Sequence, residues 1–154
     1  DDEVSHSREH SIEVQIPFLQ HLFGSDFEIV PICMMMQDVE TSQEVGEAIV
    51  EGAANEDLVI ISSTDLTHYE SPEIAEERDK KAINKILDLD PNGLVELVSK
   101  EGISMCGYGP VASMLFATIG IGAQEANLLK YGNSGDTGGP MDQVVGYGSI
   151  KVVR

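Results

Sequence analysis

The chain has 154 residues, 42% of them hydrophobic, which is enough for one domain with a core of its own. Against 9 Lys and Arg stand 27 Asp and Glu, a formal charge of -18. A field of that sign repels phosphate backbones and anionic lipid, so nucleic acid and membrane surfaces are excluded as expected partners.

The first residue is Asp1 instead of Met and no signal peptide follows, so the sequence reads as part of a longer protein. Cys33 and Cys106 form no CxxC pair, which suits a reduced, cytoplasmic chain better than a disulfide scaffold. In chain order, Ile12, Ile16, Leu19 and Phe23 recur at helical spacing before Gly24 and predict a helix ended by that glycine and kinked at Pro17. The alternation Ile12, Val14, Ile16, Phe18 leaves a strand open for the same segment. Residues 27–33 predict a strand, with Met34, Met35 and Met36 as flexible packing after Cys33. A helix is expected over 41–54, and the apolar run 57–61 reads as a buried strand.

Pro72 opens a helix whose apolar stripe is Ala75, Ala82, Ile83, Ile86 and Leu87, with Glu76, Glu77, Arg78, Lys80 and Lys81 on its solvated side. A second follows near 91–98. From Met105 to Ala123 there is no charge, but Gly107, Gly109, Pro110, Gly120 and Gly122 interrupt the run and leave Val111 to Ile119 as a buried core helix, not a membrane span. Residues 126–131 and 144–153 predict two strands, a pair that can run antiparallel, joined by the glycine-rich loop 132–140. That loop lacks a phosphate-loop lysine and GxGxxG spacing, and reads as turn chemistry. The interleaving predicts an α/β layered fold with a largely buried mixed sheet flanked by helices.

Chemistry concentrates in three places. Ile60 and Ile61 run straight into Ser62-Ser63-Thr64-Asp65-Leu66-Thr67-His68-Tyr69, and open α/β sheets keep their sites at the carboxyl ends of strands. With a helical turn after Thr64, Asp65 and His68 share a face and the carboxylate orients the imidazole for acid or base work. A serine hydrolase triad is disfavoured, since no GxSxG elbow is present. The second place is His6-Ser7-Arg8-Glu9-His10, an HxxEH pattern that makes a zinc peptidase a remote alternative. The third is Met105-Cys106-Gly107-Tyr108-Gly109-Pro110, where a cysteine in a tight turn before a helix suits a nucleophile or metal ligand. Cys33 with its methionines offers copper(I) a soft site, though core packing is the plainer expectation.

Four segments together resemble the motifs of the Memo family, also called AmmeMemoRadiSam system protein B: Glu9-His10-Ser11-Ile12-Glu13-Val14-Gln15-Ile16-Pro17-Phe18-Leu19, Ser62 to Tyr69, Met105 to Pro110, and Tyr131-Gly132-Asn133-Ser134-Gly135-Asp136. The resemblance spans residues 1–154 as the C-terminal portion of one Memo-like α/β domain whose N-terminal half is absent. It implies the fold of class III extradiol dioxygenases and a metal site of two histidines from the N-terminal half plus a cysteine matching Cys106. Asp65 and His68 match residues lining that pocket, and His10 matches the family motif where His6 does not. The reading that follows is a metal-dependent oxidoreductase of unknown substrate, with Cys106 as metal ligand and Asp65 and His68 as catalytic residues. Iron or copper is expected in the full-length protein, with weak binding or none by this piece alone. A radical SAM protein is the partner the family name implies. The alternative is a peptide- or protein-binding module using the same pocket without turnover.

Overall fold

The computed structural model describes residues 3–53 and 56–154, which fall into two compact units, Asp1–Met35 and Met36–Arg154. In the first unit, helix α1 (Glu3–His6) is followed by a 3-10 helix (Glu13–Gln15) and helix α2 (Ile16–Phe23). The helical spacing of Leu19 and Phe23 therefore prevails over the alternation, and Gly24 closes α2 at φ 67. The expected kink is absent because Pro17 lies in the first turn of α2, where a missing N–H costs nothing. Residues 27–33 form no strand: no described segment pairs with them, and an unpaired extended chain has no ladder. The methionines after Cys33 do not pack as core either, since Met35 and Met36 are exposed.

In the second unit, helices α3 (Val39–Gly52), α4 (Pro72–Leu87), α5 (Pro91–Glu101) and α6 (Tyr108–Gly120) accompany strands β1 (His68–Glu70), β2 (Glu125–Asn133) and β3 (Val144–Val153). The sheet order is β1-β3-β2 and both pairings are antiparallel. Two expectations change here. Residues 57–61 join no strand, with Val59 84% exposed, and the sheet is small, antiparallel and mostly solvent-facing along β2 instead of mixed and largely buried. The core lies among α4, α5 and α6, with α4 packed against β2 and β3, around Leu66, Ile83, Ile86, Leu94, Met105 and Leu115. Gly46 of α3 lets α6 approach closely, since a Cβ there would lie 2.6 Å from the Phe116 Cβ. Among the described residues no helix is long and apolar enough to cross a membrane.

Helix starts follow their caps. Asp38, Ser71 and Asp90 each accept a backbone N–H from the first turn of α3, α4 and α5. Asp90 carries most, accepting from Gly93 N at 2.8 Å and from Lys85 Nζ at 2.8 Å. The Lys85 ammonium and then the Gly93 N–H hold its carboxyl below the usual aspartate range. A depressed folded value means stabilisation present above the unfolded value and lost as pH falls through the folded one. The ion pair is half open to solvent and adds little, so the cap dominates. Asp90→Ala is expected to lower stability by about 1 kcal/mol in urea unfolding at neutral pH. The deficit should shrink in acid, and an undiminished deficit at about pH 2 would show that the carboxylate charge is not involved.

Candidate functional site

Segment 62–67 runs as irregular chain into β1 and is bound to β3 by a pair of backbone hydrogen bonds: Leu66 N–H donates to Gly146 O, and Gly146 N–H donates to Thr67 O, both at 2.9 Å. The helical turn expected after Thr64 does not form. Asp65 and His68 meet because the chain bends into β1, leaving His68 Nε2 3.4 Å from Asp65 Oδ2. Tyr69, next in line, holds φ 59, a left-handed conformation uncommon for a residue with a bulky side chain.

Ser104 fixes the imidazole from the other side. Its hydroxyl accepts the His68 backbone N–H at 2.7 Å, and its carbonyl lies 2.6 Å from His68 Nδ1. A carbonyl only accepts, so Nδ1 carries the hydrogen and Nε2 is turned to Asp65. Two acceptors face each other there unless a proton or a metal cation lies between them.

Two residues beyond Ser104 stands Cys106. The Asp65 backbone N–H lies 3.4 Å from its Sγ and the Thr64 hydroxyl 3.6 Å. Thr64 also accepts the Gly107 N–H at 2.7 Å, and a Cβ on Gly107 would come within 2.8 Å of Thr64, so the glycine lets the two loops touch. Gln37 clasps the turn from outside, donating to Cys106 O at 3.0 Å and accepting from Gly109 N at 2.8 Å. The ligand atoms of Asp65, His68 and Cys106 all lie within 4.8 Å of one another.

A four-coordinate metal with bonds of about 2.0–2.3 Å sets its ligand atoms about 3.3–3.8 Å apart. The 3.4 Å between Nε2 and Oδ2 already matches that edge, and the donor set of thiol, imidazole and carboxylate suits a transition metal. The residues fit such an ion. Cys106 is exposed, the Asp65 side chain is half exposed and that of His68 mostly covered, and an apolar hollow of about 490 Å³ borders the same loops through Thr64 and Met105.

His10 belongs to the first unit, where it is exposed, with Nδ1 3.8 Å from Glu13. Helix α1 ends at His6, so His6 and His10 do not share a helical face as a zinc peptidase requires. Sequence reasoning missed Ser104, Gln37, Tyr147 and Asp79. Burial and the Asp65 carboxylate push the Tyr147 hydroxyl up, which puts this β3 residue in the electrostatic neighbourhood of the site. Asp79 had a legible signal: a carboxylate four residues after Ala75, inside the apolar stripe of α4.

Comparison with known proteins places the family. The family described as Memo-like protein matches residues 1–151. A MEMO1 family protein of Methanopyrus kandleri is 50% identical over 152 residues, covering 97% of this chain and 54% of its own length. One of Methanocaldococcus jannaschii is 52% identical over 156 residues, covering 98% and 54%. One of Methanosarcina acetivorans is 50% identical over 153 residues, covering 98% and 57%. The chain thus spans about half the length of the curated relatives it matches. It belongs to the Memo-like family.

Proposed function

We propose that this member of the Memo-like family is part of a cytoplasmic, metal-dependent oxidoreductase whose reaction takes place at Asp65, His68 and Cys106. The observation that carries the reading is the convergence of three ligand atoms within 4.8 Å from loops some forty residues apart. Cys106 Sγ would hold iron or copper, with Asp65 and His68 Nε2 within reach of the same ion. Such an ion supplies one-electron chemistry when bound. The chain's own contribution is positional: the Ser104 carbonyl orients the imidazole, Nε2 takes or gives a proton, and the Asp65 carboxylate stabilises the imidazolium. The resemblance of the family to class III extradiol dioxygenases supports oxidative chemistry at a non-haem centre, and its name supports a radical SAM protein as partner.

A second reading is favoured by the exposed apolar side chains Leu58, Val59 and Ile61, which run up to the site loops and offer a surface to a peptide without turnover. Metal analysis of the full-length protein separates the two. Stoichiometric iron or copper that is lost on Cys106→Ser is the expected result. Peptide capture that survives complete metal removal, in a protein purified without bound metal, would replace the enzyme with the binding module.

A further inference from the structure

We infer that Asp79 is a positioning residue for His68, acting through the backbone of Thr67 together with Tyr131; the inference rests on the site assigned above. Asp79 is fully buried on the inner face of α4, and it enters none of the ion pairs among the described residues. Its Oδ1 accepts the Thr67 N–H at 2.8 Å, and its Oδ2 accepts the Tyr131 hydroxyl at 2.8 Å. Burial, then the hydrogen bond to Asp79, push the Tyr131 hydroxyl far above the ordinary tyrosine range, so it remains a donor.

A carboxylate buried without a cation is expensive, and it is not the only cost borne at this point of the chain. Thr67 is fully buried and its hydroxyl finds no partner among the described residues. Tyr69 is held at φ 59. Gly146 must lack a side chain, since a Cβ there would fall 1.8 Å from Asp79 Oδ2. These costs surround one residue, His68, from both chain directions and from the sheet beneath. An apolar core residue at position 79 would avoid the buried charge, so what the carboxylate secures is the backbone setting at Thr67. That setting aims Nε2 at Asp65 and Cys106.

The test uses Asp79→Leu, which fills the space but accepts nothing, and Asp79→Asn, which still accepts the Thr67 N–H. Leu94→Ala is a control that loosens the same core away from the loop. The first readout is the nitrogen-15 shifts of the His68 ring at fixed pH, which report the Nδ1–H form held by Ser104. The second is cobalt(II) affinity, read from the thiolate-to-cobalt absorption. Asp79→Leu is expected to move the His68 ring shifts and weaken cobalt(II) about tenfold, the low end for groups that support a ligand from behind. Asp79→Asn should restore both, and Leu94→Ala should leave both unchanged. If Asp79→Leu does not fold, Tyr131→Phe, which frees one carboxylate oxygen, should move the ring shifts in part. The inference is overturned if the folded variant leaves His68 as in the wild type, or if Leu94→Ala moves it equally. Absence of cobalt binding by the full-length wild-type protein would count against the metal reading alone, because the ring shifts would still decide the role of Asp79.

Discussion

In the full-length protein, Cys106→Ser is expected to remove the thiolate-to-cobalt absorption completely and to weaken cobalt(II) binding by about a hundredfold or more, while the melting temperature barely moves. Removing a supporting group behind a ligand already costs about 10–100-fold in typical sites, and that cost is a lower bound for loss of the ligand itself. Serine is a poor substitute, because a hydroxyl is a hard, seldom ionised donor where the thiolate is a soft anion. Cys106 is exposed, so the Asp65 N–H and Thr64 hydroxyl now facing Sγ can turn to water when the sulfur is gone. Surface changes of that kind alter stability by about 0.5 kcal/mol or less. Cys33→Ser is the internal comparison, since Cys33 is also free and exposed. If Cys33→Ser instead removes the absorption, the soft site is at the methionine run. If neither variant does, a thiolate still holds the metal and Cys106 is not its required ligand.

How much of this was legible from residues alone depends on whether the signal was local. Helices α4, α5 and α6 announce themselves through Pro72, Pro91 and the apolar run after Pro110, and β2 and β3 through their β-rich segments on either side of the glycine loop. The unpaired segments 27–33 and 57–61 misled because a strand is defined by its neighbour, and apolar content says nothing about whether one is present. The site shows the same division. Asp65, His68 and Cys106 stand out by residue type in motif-like surroundings. Ser104 acts through its carbonyl and Thr67 through its N–H, groups that every residue carries and no composition reveals. The bend that joins Asp65 to His68 was likewise hidden, because its cause is the pair of bonds to Gly146, some eighty residues along the chain.

Gly146 is where fold and site are hardest to separate, and Gly146→Ala is expected to destabilise the chain by about 4 kcal/mol, a large share of the 5–15 kcal/mol typical of a domain. The added methyl would lie 1.8 Å from Asp79 Oδ2 and 3.3 Å from the Leu66 Cβ. Overpacking a rigid core costs roughly 1–3 kcal/mol. Here the obstructing atom is no loose chain end, since Thr67 N–H and the Tyr131 hydroxyl pin that carboxylate, and displacing it strands buried donors at about 1–3 kcal/mol more. Gly148, two residues further along the same strand, is the control. A Cβ there would meet only the Leu66 Cδ1 at 3.3 Å and the Ile83 Cδ1 at 3.8 Å, and methyl groups at the ends of flexible side chains can give way. Gly148→Ala should therefore cost under about 1 kcal/mol. Urea unfolding of both variants measures the difference, and a second comparison assigns its cause. Paired with Asp79→Ala, Gly146→Ala should cost much less than it does alone, a coupling of up to about 3 kcal/mol, because the atom it strikes is gone. Additive effects would mean that the glycine is required by the strand's approach to Leu66 and not by the buried carboxylate.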